Sequence, residues 1–268
     1  MKCFLINLDR SPERLAFFGT QAQRCGMPFE RLAGVDGKAM SDTDCDRLRA
    51  PTFDFQPINR GEIGLFLSHR AIWERVVKDD LPCAAVFEDD AVLSLDICEV
   101  LEAIDREQPE ADVIKLETTG RKVVTHQGVP IPGVRHGLHP LLSWHGGTAG
   151  YVVTRIGAAK LLDTTWPLAD PVDQVIFHPL SRARHNLRVV QLQPAVCIQK
   201  NILQTSGLDP AFNTTIDRQA TRGPFSRHGL WVDLRRAWKK HLERRLRRRL
   251  ARKPGHRYDV VPLDRPLA

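Results

Sequence analysis

Pro82-Cys83-Ala84-Ala85-Val86-Phe87-Glu88-Asp89-Asp90-Ala91-Val92 joins a short apolar run to three consecutive carboxylates. A run of this length, bounded by polar residues, predicts a buried strand, and the carboxylates fall at its C-terminal end. Like charges held side by side repel, and each needs a partner or solvent. A divalent cation is a natural partner, because hard ions such as Mn²⁺ or Mg²⁺ prefer carboxylate and phosphate oxygens. In an extended segment Glu88 and Asp90 point the same way, so these two are the expected pair around one ion. On spacing alone, a solvated acidic turn is the plainer alternative.

Outward from this strand the pattern alternates. Cys3–Leu8 reads as a first buried strand, and Ser11-Pro12-Glu13 opens a helix with Ser11 as cap and Pro12 in the first helical position. That helix ends at Gly26. Phe29–Leu32 predicts a second strand, Gly61–Lys78 a helix, Ile97–Glu107 another, and Val113–Leu116 a strand. Residues 120–140, rich in Gly, Pro, His and basic residues, predict a long loop or loose hairpin. Thr148–Val153 and Leu187–Leu192 read as strands, with a helix over Arg155–Leu162 between them. Strands alternating with helices predict an α/β fold, a mostly parallel sheet with helices on both faces. Such sheets bind ligands at the carboxyl ends of their strands, where Asp9 and Glu88-Asp89-Asp90 fall.

Two further stretches carry chemistry. Asn7-Leu8-Asp9-Arg10-Ser11-Pro12-Glu13-Arg14 sets Asn7 and Asp9 at a strand end beside a helix start. There they can meet a nucleoside, with Arg14 reaching phosphate; capping and surface pairing explain the residues equally well. In Arg60-Gly61-Glu62-Ile63-Gly64-Leu65-Phe66-Leu67-Ser68-His69, Gly61 and Gly64 permit close backbone approach. Ser68 and His69 lie further along that helix, where a single histidine is more often a buried, hydrogen-bonded residue than a reactive one.

Charge divides the chain. Of its net +7, the stretch Arg235–Lys253 holds eleven Lys/Arg against the single acid Glu243, which leaves the remaining residues mildly acidic at −3. Trp231, Leu234, Trp238, Leu242, Leu246 and Leu250 trace one helical stripe through it, with Arg and Lys on the other faces. That is the pattern of a helix lying on an anionic membrane surface through residues 231–253. A helix packed on the body with solvated charges is the alternative. Nucleic acid is not the expected partner, because the folded body is acidic. The expected division is a catalytic unit over 1–226 and a basic amphipathic helix and tail over 227–268, with 254–268 frayed.

The six cysteines show no paired or zinc-like spacing and are expected to be free thiols. The N-terminal apolar run, Cys3–Ile6, is too short for a signal peptide. No window approaches the roughly 18–20 apolar residues of a spanning helix. The expected location is cytoplasmic, peripheral on the inner face of the membrane.

An ordered series of motifs resembles glycosyltransferase family 25, the bacterial lipopolysaccharide and lipooligosaccharide sugar transferases, to which a domain of the animal collagen galactosyltransferases is related. It comprises Ile6-Asn7-Leu8-Asp9-Arg10 with Arg14, Ala33-Gly34-Val35-Asp36-Gly37, Gly61-Glu62-Ile63-Gly64 with Leu67-Ser68-His69, and Phe87-Glu88-Asp89-Asp90-Ala91. Gly147-Thr148-Ala149-Gly150-Tyr151-Val152-Val153 and Pro171-Val172-Asp173 complete it. The resemblance implies a GT-A type fold, a nucleotide-sugar donor (often UDP-galactose), a glycan or glycolipid acceptor, and a divalent metal, usually Mn²⁺. It places Glu88, Asp89 and Asp90 in the acidic metal motif, and Asn7, Asp9 and Arg14 in the donor-side motif. Gly61, Glu62, Ser68 and His69 fall in a second signature, and Asp173 near the acceptor. Leu65 and Phe87 depart from the family's usual residues without touching the chemistry, and 120–145 matches no pattern.

The resemblance also implies inversion at the anomeric carbon, which needs a base on the acceptor hydroxyl and charge stabilisation of the leaving diphosphate. Asp173 is the expected base and Glu117, at a strand end, its alternative; His69 is a third catalytic candidate. Two competing readings use the same residues: a metal-dependent phosphohydrolase acting on water, and a non-catalytic membrane- or polyanion-binding protein.

Overall fold

A computed structural model of the chain describes residues 1–50, 58–205, 238 and 241–268. In chain order the elements are β1 (Lys2–Asn7), α1 (Pro12–Arg24), β2 (Glu30–Ala33), α2 (Asp42–Leu48), α3 (Arg60–Lys78), β3 (Cys83–Glu88), β4 (Ala91–Leu93) and α4 (Ile97–Glu107). There follow β5 (Val113–Lys115), β6 (Glu117–Thr118), β7 (Lys122–His126), β8 (Val129–Pro130), β9 (Gly137–Pro140), β10 (Gly150–Thr154), α5 (Arg155–Thr164) and α6 (Val172–Phe177). The chain closes with β11 (Val189–Gln193), β12 (Cys197–Gln199), α7 (Lys200–Thr205), α8 over 241–251, and β13 (His256–Val260).

Eight strands form the central sheet in the order β2-β1-β3-β10-β5-β11-β9-β8. β1 pairs in parallel with β2 and β3, and β5 with β11, while β10 and β9 run against their neighbours. Six of the eight strands therefore point the same way, the mostly parallel arrangement expected, with β10 and β9 reversed. Side chains alternate across it. Phe4, Ile6, Val86, Tyr151 and Val153 join one core cluster with Phe66 and Trp73 of α3 and Leu161 of α5. Leu5, Ala85, Phe87 and Val152 join the other, with Phe18 of α1 and the Ile97, Val100, Leu101, Ile104 stripe of α4. Both faces are covered, which is why the central strands read as continuous apolar runs.

At the carboxyl ends of β3 and β5 the chain steps off this sheet into a three-stranded one, ordered β4-β12-β6. Asp89 and Asp90 make the step from β3 to β4, and Leu116 the step from β5 to β6. The acid cluster thus lies at the seam between two sheets.

Three expectations are corrected. Residues 254–268 are not frayed: β13 pairs antiparallel with β7, Lys122 opposite Val260 and His126 opposite His256. Beyond it, the Asp264 and Ala268 amides donate to the carbonyls of Ala195 and Leu93, and Val261 is buried. The end of the chain therefore belongs to the body, because these strand edges offer it backbone partners that its polar composition does not advertise. The proposed boundary at 226/227, with Trp231 and Leu234, lies outside the described residues. The stretch 120–140 is more ordered than a long loop: β8 and β9 form the hairpin allowed for there, and β7 precedes them as a further strand. Ser11 precedes α1 but makes no side-chain cap bond. All six cysteines are free, as expected.

Candidate active site

Because β1 and β3 lie side by side with Ile6 opposite Glu88, Asn7 and Asp89 emerge next to each other. Asn7 Nδ2 donates to Asp89 Oδ2 at 2.8 Å and to the Ser11 carbonyl at 3.0 Å, while its Oδ1 accepts from Arg31 Nε at 3.0 Å. Arg14, from the first turns of α1, reaches Asp89 Oδ1 at 2.6 Å and Asp90 Oδ2 at 3.1 Å. Glu88 Oε1 accepts a short hydrogen bond from the Thr148 hydroxyl and stands 3.5 Å from His69 Nε2.

The three acids therefore differ. Burial raises the Glu88 carboxyl, but His69, Thr148 and Arg14 outweigh it and hold Glu88 below its ordinary value. Burial raises Asp89, only partly offset by Asn7 and Arg14. Burial and then the charge of Glu88 push Asp90 up to about 7, against the pull of Arg14. Asp90 Oδ1 is buried and has no hydrogen-bond partner. The cluster holds more negative charge than Arg14 neutralises, and the surplus sits on Asp90.

That surplus is what a cation would compensate, and Glu88 and Asp90 fit as its ligands. No group of three metal-ligating side chains exists among the described residues. An ion there would be held by one or two carboxylates and completed by substrate phosphates.

Behind Glu88 lies a layer that never reaches the surface. Tyr151 Oη accepts from Trp73 Nε1 at 2.9 Å and lies 3.0 Å from His69 Nδ1. His69, the third catalytic candidate, is fully buried and approaches the acid cluster at Glu88. Glu117 is likewise fully buried. Its Oε2 accepts from Lys115 Nζ at 3.0 Å and the Ala149 amide at 3.1 Å, while Lys115 also donates to the Gly147 carbonyl at 2.6 Å. Gly147 has φ +86, and a Cβ there would fall 2.4 Å from Glu117 Oε1. Glu117 thus lies sealed beneath the 147–149 backbone and cannot serve as the base.

The second signature is structural as well. Glu62 completes a capping box with Asn59 at the start of α3, away from the acids. Gly61 lies exposed in the same turn. The close approach occurs at Gly64, whose Cβ would sit 2.4 Å from the Val35 carbonyl oxygen, and Ser68 Oγ accepts from the Val35 amide at 2.8 Å. Gly64 and Ser68 therefore dock the loop after β2 onto α3. Asp9 stays exposed and pairs with Arg31.

Asp173, at the start of α6, accepts from the Gly147 amide at 3.2 Å through Oδ2 and from the Gln174 amide at 2.8 Å through Oδ1. It lines a cleft of about 940 Å³ with Thr119–Lys122, Trp144–Gly147, part of Gln199–Thr205 and the inner face of α8. Thr148 to Gly147 is the short path from Glu88 to this cleft.

The model of the family described as glycosyltransferase family 25 (LPS biosynthesis protein) matches residues 1–176, which contain the acids, Gly147 and Asp173. The chain belongs to glycosyltransferase family 25. Its relatives in this family include the lacto-N-neotetraose biosynthesis glycosyltransferase LgtB of Neisseria gonorrhoeae, 32% identical over 75% of each chain. LgtE of the same organism is 26% identical over 96% of this chain and 98% of its own. Procollagen galactosyltransferase 1-A of Xenopus laevis is 30% identical over 68% of this chain, which spans 31% of that protein. This family 25 chain is therefore a glycosyltransferase. That sets aside the phosphohydrolase and non-catalytic readings.

Thr148, which holds Glu88, stands in one of the quoted motifs without a role assigned to it. Two residues of this family 25 site lie outside the motifs: Arg31 ties Asn7 to Asp9, and Lys115 neutralises Glu117. Of these, Lys115 left a signal: a lysine in an apolar strand, two residues from a glutamate and so on the same face.

Proposed function

We propose that the chain transfers a hexose, galactose first among candidates, from a UDP-sugar to a hydroxyl of a lipopolysaccharide or lipooligosaccharide glycan, inverting the anomeric centre. The observation that carries this reading is the buried Oδ1 of Asp90, without a hydrogen-bond partner beside Glu88 and one short path from the Asp173 cleft. The names of relatives support the acceptor class and the sugar. Glu88 and Asp90 would hold Mn²⁺ or Mg²⁺, which supplies positive charge against the departing diphosphate. Asp9 and Arg14 face the donor side. Asn7 and Asp89 keep that side rigid.

Asp173 takes the proton of the acceptor hydroxyl as its oxygen bonds to the anomeric carbon and the bond to the diphosphate breaks, releasing UDP. The two backbone N–H donors fix the carboxylate, and each oxygen retains a lone pair for the hydroxyl. Asp173→Asn is expected to lower turnover by about two to four orders of magnitude with UDP affinity unchanged. UDP release and UDP titration read the two separately; near-normal turnover removes Asp173 from the role.

The membrane reading remains part of this proposal, placed at the inner face of the cytoplasmic membrane. Trp238 and Leu242 are exposed, whereas Leu246 and Leu250 are half-buried. No described helix is long and apolar enough to cross a membrane. Flotation with anionic vesicles is expected to weaken in Trp238→Ala/Leu242→Ala; equal binding of variant and parent would remove this surface as the contact.

A further inference from the structure

α8 contributes more than positive charge to the surface. Arg244 and Arg247, three residues apart and so on one helical face, form part of the cleft wall. The rotation of the helix is fixed at two points. Glu243 meets His178 Nε2 at 2.9 Å, and the Arg247 guanidinium lies 5.6 Å from the centre of the Tyr258 ring on β13. His178 in turn stands 5.7 Å, ring to ring, from Trp144. Arg121 and Lys122, at the turn into β7, line the same space.

These cations are poorly matched by acids. Among the described residues Arg121 and Arg244 make no ion pair, and Lys122 has only Asp259 at 4.0 Å. Glu243 is engaged by His178, which leaves Asp173 as the free carboxylate of the cleft. Trp144 is 37% exposed and offers a flat apolar face of the kind sugar rings pack against. Glu88 and Asp90 do not line this cleft, so its arginines stand apart from the place assigned to the leaving diphosphate. Arg244 and Arg247 also lie beyond residue 176, where the family match ends.

We propose that the cleft is an acceptor subsite built for a sugar carrying a fixed negative charge, a phosphate or a carboxylate. The ring rests on Trp144, its hydroxyl meets Asp173, and its anionic group is held by Arg244 and Arg247, with Arg121 opposite. Guanidinium groups suit this task because their planar fork grips phosphate and carboxylate oxygens in pairs. The inference rests on the transferase reading, since it assigns the second substrate of that reaction.

The test uses the full chain saturated with UDP and Mn²⁺ and titrated calorimetrically. The probes are N-acetylglucosamine 6-phosphate, glucose 6-phosphate and galacturonate, each against its neutral parent, with inorganic phosphate alongside. At least one charged sugar is expected to bind about tenfold to a hundredfold more tightly than its parent, the range of a charge-assisted bond. Arg244→Gln/Arg247→Gln is expected to abolish that preference while UDP affinity stays as in the parent, and Arg244→Gln alone, which leaves the Arg247 contact with Tyr258 in place, is expected to weaken the preference at an unchanged melting temperature. Equal or absent binding of charged and neutral sugars, or a preference that survives in the variant, overturns the proposal. So does loss of UDP affinity in the variant, which would move the arginines to the donor. Inorganic phosphate binding as tightly as the sugar phosphates would leave a bare anion site and overturn the sugar assignment. Failure of UDP to bind the parent protein strikes the donor reading instead, and the sugar titrations then decide the subsite without it.

Discussion

Asp90→Ala is expected to lower Mn²⁺-dependent UDP release by about two to three orders of magnitude while leaving the melting temperature at pH 8 equal to the parent's or higher. The two halves of this expectation have one cause. Asp90 is buried beside Glu88 with an unpartnered oxygen, and its carboxyl is pushed up to about 7, so its charge above that pH opposes folding. Removing it relieves that cost, and Arg14 keeps its 2.6 Å contact with Asp89. A residue that destabilises the empty protein yet is needed for turnover is serving a ligand. Parallel UDP-release assays and thermal melts check it. Activity within tenfold of the parent would remove Asp90 from the metal role, and a large drop in melting temperature would make it structural.

The second large effect is on stability. Lys115→Met removes the cation 3.0 Å from Glu117 in a fully buried pair. It also removes the bond to the Gly147 carbonyl and the contact, 4.1 Å, with the Phe177 ring. Burial pushes Glu117 up to about 7 even against the pull of Lys115. A carboxyl raised above its unfolded value contributes stability in full below that unfolded value, and the contribution is lost as pH rises through the folded one. Without Lys115 the folded value rises further, so the loss continues to higher pH. The variant is therefore expected to trail the parent by about 1–2 kcal/mol at pH 6 and about 3–5 kcal/mol at pH 9. The latter corresponds to about 10 °C in melting temperature for a chain of this size. Denaturant titrations across that range measure the gap; a gap that does not change with pH would assign it to packing rather than to the charge on Glu117.

Most of the sheet could be read ahead of the structure because burial on both faces writes itself into composition. Cys83–Glu88 and Lys2–Asn7 are apolar runs, and α4 shows its buried stripe as Ile97, Val100, Leu101 and Ile104. β13 could not be read this way. Arg257, Tyr258 and Asp259 are exposed, and the strand is held by backbone bonds to β7, which leave no trace in side-chain polarity. α2 and α6, of seven and six residues, are too short to show a period. Within the site the acids were legible, but the direction of a polar group was not. Asn7, Ser68 and His69 bond inward to the protein, whereas Asp173 lines a cleft, and all four are equally polar in a one-dimensional reading.

The bonds at Tyr151 have a direction that fixes where one proton resides. An indole nitrogen can only donate, so Trp73 occupies a lone pair of the Tyr151 oxygen and never supplies its hydrogen. Among the described residues no other acceptor meets that hydroxyl, whose single hydrogen is then committed to His69 Nδ1, 3.0 Å away. The imidazole must carry its own hydrogen on Nε2, the nitrogen that looks toward Glu88. Three N–H and O–H dipoles, from Trp73 through Tyr151 to His69, therefore line up head to tail with their positive end on Glu88. An aromatic residue that never nears the cleft thus sets the tautomer behind the acid cluster, so its effect on that carboxylate is one of polarity rather than of shape.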